Sequence, residues 1–216
     1  MAKGIKIIDN YNELSIGKYM DICNLCRDEY MEEIDRQVAI ISILTDRTDE
    51  EILNLPIVEY TELVKKSRFL EEGTSSAHAR ISKNYLVGEF ELIPATDINK
   101  ITTAQYIDFQ TFSKRGEDSI VELLSCFLIP KGKKYCQDYD VIQVQKAIHD
   151  YLSVSNVMSL SAFFLLSYRE SMINILTFSR KKAMRMKDSE EKTKILQEIE
   201  QQERMILAND GDGSQM

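Results

Sequence analysis

Apolar side chains recur along most of this chain at the spacing of a helix. After the hydroxyl residue Ser15, the positions Ile16, Tyr19, Met20 and Cys23 follow the i, i+3, i+4, i+7 rhythm of one helical face. Ile34, Val38, Ile41 and Leu44 continue it, predicting a second helix over about 34–44. Thr48-Asp49-Glu50-Glu51 has the pattern of a capping box, in which the Thr hydroxyl and the Glu carboxylate each satisfy a terminal N–H. Asn54-Leu55-Pro56 stops that short helix, and Pro56 suits the first turn of the next, expected over 57–70 with Tyr60, Leu63 and Val64 as its apolar groups. Residues 73–82 are small and polar and read as a linker. Then the rhythm changes. Tyr85-Leu86-Val87 and Phe90-Glu91-Leu92-Ile93 flank Gly88-Glu89, which predicts a β-hairpin with a type II′ turn. A lone hairpin is marginal in water, so it needs a covering element.

Helices follow near 103–113, 119–128 and 142–151, with a loop at Pro130-Lys131-Gly132-Lys133-Lys134. A long apolar helix then runs through Phe178, with Ser155 and Ser159 as candidate caps. Its stretch from Val157 to Phe178 has the length of a membrane span, but Arg169 and Glu170 near the middle fit a core helix better. From Ser179 the composition turns to Lys, Glu, Gln and Met without Pro or Gly. If 181–208 form one helix, it is about 40 Å long. Ile195, Leu196, Ile199 and Ile206 make a thin apolar seam on it and are the candidate partner contacts. Either this helix packs on a neighbouring subunit or it is a solvated tail. Asp210-Gly211-Asp212-Gly213-Ser214 lacks the closing Glu of a calcium loop and reads as a flexible end.

One phrase occurs twice. Residues 14–22 (Leu-Ser-Ile-Gly-Lys-Tyr-Met-Asp-Ile) and 101–109 (Ile-Thr-Thr-Ala-Gln-Tyr-Ile-Asp-Phe) share apolar positions, a capping hydroxyl, a Tyr and an Asp two residues after it. Each is followed by an apolar run, 38–44 in the first and 121–128 in the second. The candidate repeat positions are therefore Tyr19 and Asp21 with Tyr106 and Asp108. Together these patterns predict a mainly α fold: a helical bundle of two related helical units, with one small β-hairpin and a polar C-terminal helix. The expected divisions are a helical unit over 1–72, linker and hairpin over 73–100, a second helical unit over 101–178, and a polar extension over 179–216.

Composition narrows the function more by exclusion than by assignment. With 216 residues, 44% hydrophobic, the chain can bury a core, and only 8 Gly and 3 Pro favour long helices. A net charge of −8 disfavours an electrostatic nucleic-acid binder, and no specific nucleic-acid contact is expected, although a local basic patch remains open. The opening Met1-Ala2-Lys3-Gly4 has no apolar signal region, so secretion is not expected. Cys23 and Cys26 form a CxxC, but Cys126 and Cys136 are ten apart and far away, and neither His78 nor His149 stands at a zinc-ligand interval. Reduced packing cysteines in a cytosolic setting follow, with no metal and no cofactor expected. No dinucleotide fingerprint, Walker loop, zinc-protease motif or nucleophile elbow occurs, and the 130–134 loop lacks the glycine framework of a phosphate cradle. Asp21 and Asp108 are the acids in matching repeat positions. A paired acidic site is one reading of them and surface or capping groups the favoured one, with Tyr19 and Tyr106 as packing groups with polar tips. No catalytic residue is assigned, and the chain reads as a non-enzyme.

Residues 14–22, 35–45, 49–56 and 101–109, with Leu123-Leu124-Ser125-Cys126-Phe127-Leu128-Ile129-Pro130-Lys131-Gly132-Lys133-Lys134-Tyr135, resemble helical morphogenesis proteins of tailed bacteriophages, especially crAss-like and other gut Bacteroidales phages. The first block also resembles small tail assembly chaperones. The resemblance spans most of 14–178 and leaves out 181–216. It implies a virion structural protein, a head–tail connector or ring component that joins portal or tail proteins and forms a homo-oligomer. It would be made in the host bacterial cytoplasm and reside in the tail or connector region of the virion. A tail assembly chaperone absent from the finished particle is the second implication. A cytoplasmic adaptor that binds one partner peptide is a third reading, from a different class.

Overall fold

The computed structural model describes residues 5–72, 81–97, 100–187 and 189–208. It is mainly α, with one small antiparallel sheet. Helix α1 (Ile16–Arg27) starts where the Ser15 hydroxyl accepts from the Lys18 N–H, at 3.4 Å. Helix α2 (Glu33–Thr45) buries Val38, Ile41 and Leu44 and ends on Asp46 in the left-handed region, at φ 55°. Ile34, expected on that buried stripe, is 65% exposed, because it sits in the first turn where the helix has left the core. In α3 (Asp49–Leu53) the capping box is complete, and the two backbone and hydroxyl bonds from Thr48 hold the Glu51 carboxyl below its usual range. Helix α4 (Ile57–Ser67) gives way to a 3₁₀ turn at Arg68–Leu70, so the last turn expected of one helix is wound more tightly. Pro56 is the cap of α4 and not part of its first turn. Leu14, Ile22, Ile41, Leu44, Ile52 and Leu63 form the centre of this core, with Tyr11 and Phe69 ring-to-edge at its margin.

The hairpin forms from β1 (Tyr85–Val87) and β2 (Phe90–Pro94), in the register Tyr85↔Leu92 and Val87↔Phe90. Gly88 lies at φ +58° and Glu89 at negative φ, the sign pattern of a II′ turn. A third strand, β3 (Leu128–Pro130), pairs with β2, where the sequence suggested the end of a helix and a loop. The reason is local. Ile129-Pro130 cannot extend the preceding helix, since the ring removes a donor and disfavours a helical predecessor. The alternation of Leu128 and Pro130 then buries both. The cover that a hairpin needs is supplied by this strand and by helix α7 (Val141–Tyr151), whose Tyr151 ring lies 3.2 Å from where a Cβ on Gly88 would stand.

Two further helices precede β3 and α7. Helix α5 (Thr103–Ser113) opens with a full Thr102–Gln105 capping box, and α6 (Ile120–Phe127) is the most apolar helix of the region. Helix α8 (Val154–Met184) does not start at Ser155 or Ser159. Ser153 caps it, accepting from the Asn156 N–H at 3.4 Å. Ser153 is fixed there by an antiparallel bridge to Ser15: Ile16 N–H donates to Leu152 O at 2.9 Å, and Val154 N–H to Leu14 O at 2.8 Å. The starts of α1 and α8 are thus joined through backbone.

Beyond Ser179 the single helix over 181–208 is replaced by two pieces. Helix α8 continues to Met184, and α9 (Glu190–Ala208) begins anew after Ser189, whose hydroxyl accepts from the Lys192 N–H. A hydroxyl with a free rotor at 189 competes for helix-end N–H groups, and that decides where the new helix starts. The chain divides into two compact units, 1–161 and 162–216. Among the described residues no helix is long and apolar enough to cross a membrane. The side chains of Arg169 and Glu170, residues 73–80 of the linker and the Asp210–Ser214 end lie outside the described ones.

Candidate functional site

The repeated phrase produces the same start twice. Ser15 and Thr102 both cap their helices through the hydroxyl, each accepting from the N–H three residues on. Past that turn the copies part. Tyr19 is half-buried against the first core, with its ring 6.3 Å from that of Tyr11, while Tyr106 is 50% exposed. Asp21 is exposed on α1 and borders an open groove of about 560 Å³ together with Asp46, Asp49 and Arg47. Asp108 instead turns inward. It accepts a 2.8 Å hydrogen bond from the Tyr135 hydroxyl. The structure therefore does not bring Asp21 and Asp108 together as a paired acid site; each belongs to a different helix with its own neighbours.

Around Asp108 the protein holds a network that the periodicity did not disclose. The Cys126 sulfur lies 3.6 Å from the Tyr135 hydroxyl oxygen and donates to the Glu122 carbonyl at 3.3 Å. Burial, more than any neighbour, pushes the Cys126 thiol up to about 11. Burial first, then the Cys126 and Asp108 contacts, pushes the Tyr135 phenol well above its ordinary value. Both protons therefore stay in place at neutral pH. A thiol held protonated is a poor nucleophile, so this cluster orients and packs. Gln105 completes it: its carbonyl accepts from the Thr102 N–H at 2.8 Å while its amide donates to Cys126 O at 3.0 Å. One buried side chain thus closes the α5 cap and ties α5 to α6. Ser125 accepts from the Gln145 amide at 3.0 Å, linking α6 to α7. The Thr102-x-x-Gln105 spacing was the available signal for this network; the Tyr135 partner, 27 residues from Asp108, left none.

The cysteines differ from a uniform set of packing groups. Cys126 is buried and Cys23 half-buried, but Cys26 and Cys136 are exposed, because Cys26 lies in the last turn of α1 and Cys136 in a tight loop at φ 53°. Among the described residues no three His, Cys, Asp or Glu converge to hold a metal ion. On α9, Ile199 is 5% exposed and Ile195 and Leu196 are half-buried; the side chain of Ile206 lies outside the described ones. A partner reaching Ile199 would have to displace what covers it.

Comparison with protein-family models, curated proteins and solved structures finds nothing that matches this chain. What distinguishes its surface is apolar. Tyr30 is 97% exposed, Leu86 82%, and Leu53, Ile57 and Val58 at the α3–α4 corner 70%, 74% and 70%.

Proposed function

We propose that this chain is a non-enzymatic structural protein of a tailed bacteriophage particle, a head–tail connector or ring component that assembles through helical surfaces. The observation that carries the reading is the α3–α4 corner. Leu53, Ile57 and Val58 stand largely in solvent beside a core whose own central residues, Leu14 and Ile41, are fully buried. Scattered exposed hydrophobes are ordinary, but a group of large ones within six residues of chain is the composition of a surface that another protein covers. The resemblance of residues 14–22, 35–45, 49–56, 101–109 and 123–135 to phage morphogenesis proteins supplies the setting. The polar network at Asp108, Tyr135 and Cys126 serves this role by holding α5, α6 and the 131–140 loop in one geometry.

The test is a mass determination in solution paired with proteomics of purified particles. Presence in mature particles at a fixed copy number supports the connector or ring. A chain that binds tail components but is missing from mature particles is an assembly chaperone. A monomer found in neither setting leaves the cytoplasmic adaptor.

A further inference from the structure

The end of α8 presents a face unlike the other charged surfaces. Leu176 and Ala183, seven residues apart, are buried, whereas Phe178 is 69% exposed and Lys181, Lys182 and Arg185 are exposed. Residues 180–187 hold five cations and no acid in a chain of net charge −8. In the first unit Lys18 pairs with Asp46 at 2.7 Å and Lys131 with Glu91 at 2.8 Å. Among the described residues no such pair involves Lys181, Lys182 or Arg185. A lipid surface fits this face poorly, because an interfacial helix enters the bilayer with a continuous apolar stripe, and here Leu176 and Ala183 are buried, leaving Phe178 and Met184 apart among cations. A nucleic-acid strand is held through a long series of phosphate contacts, and this face offers a short cluster of cations at one helix end.

A second copy of the chain carries the complement. Residues 28–35, between α1 and the first turn of α2, hold five acids and no base, with Tyr30 97% and Ile34 65% exposed among them. This corner is stiffened from beneath. The Arg36 guanidinium donates to the carbonyls of Leu25, Asp28 and Met31 at 3.2, 2.7 and 3.1 Å, and pairs with Glu33 at 2.9 Å. A contact surface already held in shape loses less entropy on binding. Glu29, Glu32 and Asp35 are left facing solvent, without an ion pair among the described residues.

We propose that Phe178, Lys181, Lys182 and Arg185 of one copy dock on Tyr30, Glu29, Glu32 and Asp35 of a second copy. Each side brings an exposed ring ringed by charges of one sign, so the pairing excludes like with like while the aromatic groups supply buried area. The two patches differ, so the contact is head-to-tail. Repetition of such a contact closes into a ring or runs on as a filament, depending on its rotation. The proposal deepens the assembly reading above and rests on it only for closure.

The experiment measures self-association of the full chain by sedimentation equilibrium. It uses the wild type, a basic-face variant (Lys181→Glu, Lys182→Glu, Arg185→Glu) and an acidic-corner variant (Glu29→Lys, Glu32→Lys, Asp35→Lys). Each variant alone is expected to associate on the order of 100-fold more weakly, because every attraction becomes a repulsion. An equimolar mixture of the two is expected to associate like the wild type, since the reversed faces complement each other, and this also shows that neither variant has unfolded. Raising salt from about 0.05 to about 0.5 M is expected to weaken the wild-type contact. A wild type that stays monomeric at about 0.1 mM, or variants that associate as the wild type does, would overturn the contact. A monomer nevertheless present in particles sinks this contact and spares the connector reading. A salt-sensitive oligomer absent from particles does the reverse.

Discussion

Helices α1 and α5 begin with nearly the same words and end in different circumstances. At their first turns Ser15 and Thr102 do the same work, as local hydrogen bonding requires. One turn later the contrast is complete. Gly17 of α1 lies so close to α7 that an added Cβ would meet the His149 ring, whereas the matching Ala104 of α5 is exposed. Asp21 faces a groove, and Asp108 accepts a hydrogen bond from the Tyr135 phenol. A short repeated phrase specifies how a helix starts. What the helix then does is set by the elements that reach it from far along the chain.

The sharpest way to break this contrast is at Gly17 and Ala104. Glycine to alanine in a helix ordinarily stabilises by about 0.5–1 kcal/mol. At Gly17 the sign should invert to a loss of about 1–3 kcal/mol through overpacking against His149. Combining Gly17→Ala with His149→Ala should restore the ordinary gain, whereas Ala104→Gly should cost only the helix propensity, about 1 kcal/mol. Urea midpoints of the four proteins decide it. An unchanged Gly17→Ala midpoint would mean that the His149 ring, 44% exposed, swings aside at no cost, and this contrast between α1 and α5 would fail.

Tyr135→Phe and Asp108→Asn sharpen the difference between the two acids. Loss of the 2.8 Å bond is expected to cost about 1–1.5 kcal/mol, and Asp21→Asn should stay within about 0.5 kcal/mol of wild type. Equal effects at the two aspartates would erase the distinction. The two caps should behave alike, with Ser15→Ala and Thr102→Ala each losing about 1 kcal/mol.

At neutral pH the smallest effects lie at the thiols, and they emerge as the pH is raised. Because the Cys126 thiol is raised from its ordinary value near 9 to about 11, its folded form keeps a proton that the unfolded chain gives up. The stability tied to that proton is complete below pH about 9 and declines as pH rises toward about 11. Tyr135 adds to the same alkaline loss. Cys126→Ala should flatten this limb of the pH–stability curve. A thiol reagent should label the exposed Cys26 and Cys136 first and reach Cys126 only on unfolding.

The sequence was most readable where chemistry is local. The Thr48–Glu51 box, the Gly88 turn and the rhythm of Val38, Ile41 and Leu44 all act within a few residues, and all recur in the structure. It was least readable where a residue's partner lies far along the chain. Strand β3 follows a helix without a break and exists because β2 offers an edge 34 residues earlier. Ser153 caps α8 in preference to Ser155 because Ser15 holds it in an extended bridge. Tyr135 stands just past the loop expected at Pro130–Lys134 and carried no assignment, and only the fold brings it to Asp108. The break between α8 and α9 had a local signal in Ser189, but a polar sequence with strong helix formers on both sides masked it.

The bridge between Ser15 and Ser153 also orders events during synthesis. A ribosome adds about 5–20 residues per second, so roughly 7–28 s separate the emergence of Leu14 from that of its bonding partner Val154. Through that interval α1 to α4 can form their local turns, but the Leu14 carbonyl and the Ile16 N–H have only water to satisfy them. The first unit is therefore finished last where it began first, and a nascent chain waiting for residue 154 exposes its apolar core to chaperones and to its neighbours on the same message.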